Sequence, residues 1–337
     1  MSGLSDEAAL TDRFGRHITY LRLSVTDRCN LRCAYCMPER MTYQPRRDLL
    51  SLDELMRLAD AFIDRGVTRI RLTGGEPLVR QDTVQLVSAL GRRLGRGLQE
   101  LTLTTNGMRL AAHAEAIRAA GVERVNISLD TLDRAIFARV TRSDTLPQVL
   151  AGIAAARNAG LHVKLNTVVL KEVNEAQLAD LIGWAHGEGH DVSLIEVMPL
   201  GDVAADRLDQ YVPLDVVRRR LEERWTLRPS THRTAGPARY VDVVETGGRL
   251  GFITPLTENF CGGCNRVRVT ATGQLYPCLG GGEQVDLRAG LRTDDGGAAL
   301  SVALDTAMRI KPERHAFAIG QRGAAPSQAR HMSLTGD

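Results

Sequence analysis

The sequence predicts an α/β protein: an incomplete (β/α)6 parallel barrel followed by a smaller C-terminal domain. Three observations carry this expectation. Six short runs rich in Val, Ile and Leu recur over the first two hundred residues: Tyr20–Val25, Arg69–Thr73, Leu101–Thr104, Arg124–Leu129, His162–Val169 and Val192–Val197. They lie roughly 20 to 40 residues apart, the separation a parallel βαβ unit needs to fit its crossover helix. After Met198-Pro199-Leu200-Gly201 the alternation stops and shorter elements take over. Six such units, where a closed barrel has eight, imply a curved, open sheet.

The elements are justified in order. Residues 1–12 read as a loose polar lead, and the partial barrel is placed over 13–200. Ser51-Leu-Asp-Glu54 has the form of a capping box, with Leu50 and Leu55 placed for its hydrophobic staple. Leu178, Leu181, Ile182 and Ala185 form the i, i+3, i+4, i+7 stripe of a surface helix. A second domain is placed over 201–337, ending in a tail. Within it Leu214–Trp225 reads as a helix, and Tyr240–Val244 and Gly251–Thr254 as strands. Val267–Thr270 and Gln274–Tyr276, joined by Ala271-Thr272-Gly273, read as a hairpin.

Composition excludes several classes. A chain of 337 residues that is 43% hydrophobic and 25% charged is ordinary for one large or two modest globular domains. No apolar run reaches the ~18 residues of a membrane span. A net charge of +3 and 4% aromatic residues give little footing for nucleic acid. No apolar signal-peptide core precedes residue 13, so a reducing, cytoplasmic location is expected. Basic residues are almost all Arg; Lys stands only at 164, 171 and 311, which makes each Lys more informative than any one Arg.

All six cysteines fall into two triads. Cys29, Cys33 and Cys36 form C-x₃-C-x₂-C directly after the first strand; Cys261 and Cys264 form C-x₂-C, with Cys278 beyond the hairpin. A structural zinc site closes with four protein ligands. Three thiolates instead suit a 4Fe–4S cube with one iron left open to bind and activate something. Zinc stays open as an alternative at the second triad, with His315 or His331 as fourth ligand. In open parallel sheets, ligands gather beyond the carboxyl ends of the strands, where the first triad falls.

The segment Ser24-Val-Thr-Asp-Arg-Cys29-Asn-Leu-Arg-Cys33-Ala-Tyr-Cys36 resembles the radical S-adenosylmethionine superfamily, including the aromatic Tyr35 before the third cysteine. Thr73-Gly74-Gly75-Glu76-Pro77 resembles its GGEP motif, where bare glycines are expected to let backbone approach the ligand. The second triad, within Phe260-Cys261-Gly-Gly-Cys264-Asn265-Arg266-Val-Arg268-Val-Thr270, narrows this to a resemblance to the GTP 3′,8-cyclase family of molybdenum cofactor biosynthesis. The resemblance covers nearly the whole chain. It runs through Leu21-Arg22-Leu-Ser24, Ile70-Arg71-Leu-Thr73, Thr104-Thr105-Asn106-Gly107, Val125-Asn126-Ile-Ser128-Leu-Asp130, Val163-Lys164-Leu-Asn166 and Ile195-Glu196-Val-Met198.

What the resemblance implies is specific. Cys29, Cys33 and Cys36 would hold a catalytic 4Fe–4S cluster, and Cys261, Cys264 and Cys278 a second, auxiliary one. Tyr35, Gly75, Ser128 and Met198 would contact S-adenosylmethionine. Arg22, Arg71, Thr104, Lys164, Arg266 and Arg268 would contact GTP, with Arg266 and Arg268 also taking part in catalysis. The activity would be that of a lyase, cyclising GTP to (8S)-3′,8-cyclo-7,8-dihydroguanosine 5′-triphosphate at the start of molybdopterin biosynthesis. An electron donor, a downstream cyclic pyranopterin monophosphate synthase and a homodimer would be its partners. The chain departs from the family twice: Ser193 stands where an Arg is common, and Gly336-Asp337 where Gly-Gly usually ends the chain. Two rival readings are a peptide-modifying two-cluster radical enzyme, which should carry more cysteines, and a catalytically silent iron–sulfur or zinc redox sensor.

Overall fold

The computed structural model describes residues 9–203, 206–293 and 296–336. Its centre is one sheet of twelve strands. The six expected strands are β1 (Tyr20–Ser24), β2 (Arg69–Thr73), β3 (Glu100–Thr105), β4 (Arg124–Ser128), β5 (His162–Val169) and β6 (Asp191–Glu196). They lie side by side in chain order, every neighbouring pair parallel. The hydrophobic runs located them to within a residue or so at each end.

The chain beyond residue 201 supplies the rest: β7 (Leu227–Pro229), β8 (Arg239–Val243), β9 (Arg249–Ile253), β10 (Arg266–Val269), β11 (Gln274–Tyr276) and β12 (Val285–Asp286). β9 adds parallel to β6, and β8 and β7 follow antiparallel. β10 adds parallel to β1, and the β10–β11 hairpin and β12 follow antiparallel. The C-terminal segment thus brackets the six-strand sheet on both edges. The sheet curls, because Arg71 on β2, Lys164 on β5 and Arg268 on β10 line one cavity.

Helices cover the outer face. In Leu52–Asp64 the capping box forms as expected: Glu54 N donates to Ser51 Oγ at 3.2 Å and Ser51 N to Glu54 Oε2 at 2.7 Å. Leu55, Leu58, Ala59, Phe62 and Ile63 are buried, and removing each from water is worth ~1.5–3 kcal/mol for the larger side chains. Leu178, Leu181, Ile182 and Ala185 are buried too, as their spacing required. The helix expected over Leu214–Trp225 spans Leu214–Glu222, and a 15-residue helix, Gly296–Ile310, was not anticipated.

The loose lead is only partly as expected. Residues 1–8 lie outside the described residues, but residues 9–12 pack. Leu10 is buried and hydrogen-bonds to Arg65 O and Ile18 N, and Asp12 accepts from Arg16 N at 3.0 Å and Arg16 Nε at 2.6 Å. One apolar side chain and one turn-forming carboxylate are enough to hold that segment down. Among the described residues, no helix is long and apolar enough to cross a membrane.

Candidate active site

Strand register builds the site. Arg22 on β1 stands beside Arg71 on β2 and beside Arg268 on β10, so three arginines form one row across three strands. With Lys164 and Arg266 they line a cavity enclosing about 950 Å³ of empty space, part of it open to solvent. Among the described residues, no Asp or Glu lines it. Like charges placed side by side on a sheet repel, and guanidinium forks in such a row suit an anion. Arg71 Nε donates to Thr102 Oγ1 at 3.4 Å and the guanidinium lies over the Tyr20 ring; Arg266 lies over Phe260. Lys164 Nζ donates to Tyr240 Oη at 2.5 Å. Burial, reinforced by Arg71 and Arg124, brings its ammonium down to about 7.

Cys261, Cys264 and Cys278 line the same cavity, and so does His315; His331 does not, packing instead against Gly201. Burial pushes the Cys261 thiol up. Burial also raises Cys264, but Lys311, Arg266 and Arg268 outweigh it and bring that thiol down to about 7. Arg16 braces the segment, Nη1 donating to Cys261 O at 2.8 Å and Nη2 to Pro312 O at 2.7 Å.

The first triad lies in the loop after β1, outside that cavity. Burial raises Cys29 to about 11 and Cys33 well above the usual thiol range, Asp130 and the neighbouring thiols adding to the latter. Leu31 N, at 3.4 Å, and Asn106 Nδ2, at 3.8 Å, donate to Cys29 Sγ. Three thiols in one loop, with backbone and amide donors on Cys29, are the donor set a cluster takes up, and a bound metal displaces their protons. Among the described residues no three His, Cys, Asp or Glu groups gather closely enough to hold a single ion. A cube spreads its irons to separate corners and needs no such convergence.

Tyr35, Ser128 and Met198 meet around a second hollow of about 440 Å³. Asn166 and Met198 line both spaces, so the two adjoin there. Tyr35 Oη donates to Asp130 Oδ2 at 2.9 Å, which leaves the ring, not the hydroxyl, to face the hollow; burial pushes Asp130 up to about 6. Gly75 and Thr104 line neither space. At Gly75 a Cβ would stand 2.4 Å from Arg28 O, so bareness there admits the cysteine loop's backbone. Thr104 is buried, its Oγ1 without a hydrogen-bond partner. Ser193 is likewise buried, packed where a Cβ on Gly251 would come within 2.6 Å of its Oγ.

The tail returns to the site. Met332 lines the second hollow, and Gly336 O accepts from Arg22 Nε at 3.1 Å and Nη2 at 2.7 Å. Gly336 has φ +65°, and a Cβ would collide with the Thr73 side chain at 2.2 Å, so glycine is required. Asp337 lies outside the described residues.

Glu76 and Glu196 lie within segments that resemble the family, but the sequence assigns no role to either side chain. Glu76 is buried and accepts from Leu78 N at 2.9 Å, Thr105 Oγ1 at 2.8 Å and Asn106 N at 2.6 Å, joining the ends of β2 and β3. Glu196 accepts from Leu256 N and Thr257 N, anchoring the loop before the second triad. Buried carboxylates of this kind read in sequence like surface ones.

Known proteins match this arrangement. The Radical SAM superfamily matches residues 23–185 and Molybdenum Cofactor Synthesis C matches 190–317. The GTP 3′,8-cyclase of Erythrobacter litoralis is 68% identical, over 97% of this chain and 98% of that protein. The chain belongs to the GTP 3′,8-cyclase family. A second member, from Rhizobium etli, is 54% identical over 98% of this chain and 95% of its own length. Among solved structures, Streptococcus suis SuiB bound to S-adenosylmethionine has a TM-score of 0.62 at 17% identity, covering 88% of this chain and 69% of that one. Native anSMEcpe with bound AdoMet has a TM-score of 0.55 at 16% identity, covering 77% of this chain and 74% of its own. Those two show a shared radical S-adenosylmethionine fold, whereas the close relatives specify the GTP 3′,8-cyclase family.

Proposed function

We propose that this chain cyclises GTP to (8S)-3′,8-cyclo-7,8-dihydroguanosine 5′-triphosphate, using S-adenosylmethionine and 4Fe–4S chemistry. Family membership supports it. The observation that carries it in this chain is the cavity itself: among the described residues, four arginines, one lysine and one cysteine triad share its wall. A triphosphate brings about four negative charges, and guanidinium forks suit its oxygens.

Cys29, Cys33 and Cys36 would hold the first cluster and Cys261, Cys264 and Cys278 the second. Tyr35, Gly75, Ser128 and Met198 would shape the S-adenosylmethionine site, and Thr104 would contact GTP. With cluster and S-adenosylmethionine bound, one-electron cleavage of the sulfonium supplies a 5′-deoxyadenosyl radical. Arg22, Arg71, Lys164 and Arg268 would fix the triphosphate, so that ribose C3′ lies toward the Asn166–Met198 junction and guanine toward the second triad. The cavity wall shields the ribose radical from water. One hydrogen leaves C3′ and, after C3′ joins C8, one electron and one proton return, so the product is an isomer of GTP. The electron donor, the homodimer and transfer of product to a cyclic pyranopterin monophosphate synthase belong to the same proposal.

Anaerobically reconstituted protein, given dithionite, S-adenosylmethionine and GTP, should form 5′-deoxyadenosine and a GTP isomer in equal amounts. Deoxyadenosine formed with GTP unchanged would sink the reading. Iron should reach about eight per chain and about four after either triad is replaced by Ala. One zinc at the second triad would instead uphold the alternative site there.

Lys164 should impose a pH signature. Its free-enzyme ammonium titrates near 7, so it is charged below that pH and neutral above it. At higher pH, binding of an anionic ligand then makes Lys164 take up a proton. Between pH 7.5 and 8.5 GTP affinity should weaken by up to about tenfold through this group, and stay flat in Lys164→Arg. Equal pH profiles for the two proteins would show that Lys164 does not meet the triphosphate.

A further inference from the structure

Lys311 is 1% exposed, the most deeply buried of the three lysines, and no role above uses it. It follows the helix Gly296–Ile310, whose last turn delivers its side chain behind the second cysteine triad. Nζ donates to Arg266 O at 2.9 Å and Pro277 O at 2.5 Å, and lies 3.8 Å from Cys264 Sγ. An ammonium has three N–H donors and no acceptor, so two carbonyls and one sulfur account for all three. Those carbonyls belong to residues two after Cys264 and one before Cys278. The same nitrogen therefore joins the two strands that carry ligands and places a positive charge against one ligand sulfur. Among the described residues no carboxylate hydrogen-bonds to it, and of the charges that reach it, the Cys264 and Cys278 thiolates act more strongly than Arg16 and Asp12.

Hydrogen bonds to ligand sulfurs and the charge close to a cluster set its reduction potential, because reduction adds one negative charge to the cube. We propose that Lys311 is a positioning residue that holds the auxiliary cluster at a higher reduction potential than its three thiolates alone would give. The inference rests on the second triad holding a 4Fe–4S cluster. With the charge in place the second cube is easier to reduce than it would otherwise be. A cluster held there would be better able to relay an electron from the external donor to the cyclised product.

The test is a redox titration followed by electron paramagnetic resonance. It uses the full chain with Cys29, Cys33 and Cys36 replaced by Ala, so that only the second cluster reports. Iron content and the presence of a reducible signal check the two-cluster reading first; a protein without that signal overturns that reading rather than this one. In Lys311→Gln, which keeps a hydrogen-bond donor but no charge, the reduced-to-oxidised ratio at the parent's midpoint should fall about tenfold, a shift of about 59 mV for one electron. Lys311→Met should fall at least as far. Lys311→Arg should restore the parent midpoint within a factor of about three in that ratio. Should Lys311→Met fail to load iron, the Gln and Arg pair still decides. An unchanged midpoint in Lys311→Gln overturns the proposal and leaves Lys311 as a structural tie.

Discussion

Replacing Arg266 and Arg268 together by Ala should lower kcat/KM for GTP at least a hundredfold while S-adenosylmethionine cleavage without GTP conversion continues. Both side chains line the cationic cavity with the second triad, and neither lies in the loop of the first. Arg268 completes the row with Arg22 and Arg71, and Arg266 stacks over Phe260 beside Cys261. A charge-assisted hydrogen bond is worth ~1.5–3 kcal/mol, so each single replacement should cost about ten- to hundredfold. The double variant need not be additive, since both act on one ligand. Measuring 5′-deoxyadenosine and cyclised nucleotide in the same reaction separates the two effects. Equal loss of both would mean that these arginines hold β10 against β1 rather than the substrate.

Glu76→Ala should destabilise the protein by at least about 3 kcal/mol and strip iron from the first triad. The carboxylate sits fully buried between three donors, Leu78 N, Thr105 Oγ1 and Asn106 N. Removing it orphans all three, at ~1–3 kcal/mol each. Asn106 also donates to Cys29 Sγ and to Asn30 Oδ1, so loosening its backbone reaches the cluster loop. Burial raises Glu76, but Glu76→Gln still turns one of its two accepting oxygens into an NH2 facing a donor, so a loss of ~1–3 kcal/mol is expected. Anaerobic guanidinium unfolding and iron analysis check both. A loss below about 1 kcal/mol in Glu76→Ala would remove Glu76 from the supports of the first triad.

The sequence located the six parallel strands because each is a short apolar run, and it placed the first triad because that loop is contiguous. It could not show where the C-terminal strands attach. Arg266-Val-Arg268-Val reads as a strand, but nothing local indicates that its partner is Tyr20–Ser24 rather than its own hairpin alone. The arginine row depends on that long-range pairing and so emerges only in the fold. Cations expected from the family resemblance, Arg22, Arg71, Lys164, Arg266 and Arg268, do meet in one cavity, whereas Thr104 does not line it. Lys311 stood out by the rarity of lysine, but its aim at Cys264 depends on the unforeseen helix before it.

The bracketing of the sheet bears on how the chain is made. Tyr20 pairs with Arg266, so 266 − 20 = 246 residues separate partners on neighbouring strands. At roughly 5–20 residues per second, about 12–50 s of translation pass between them. Throughout that interval β1, whose five residues are all buried in the finished protein, has one edge without a partner. An unpaired apolar edge recruits other chains. A nascent chain that stalls before residue 266 should therefore aggregate unless a chaperone covers that edge, and the strands through residue 200 should not persist as an autonomous folding unit.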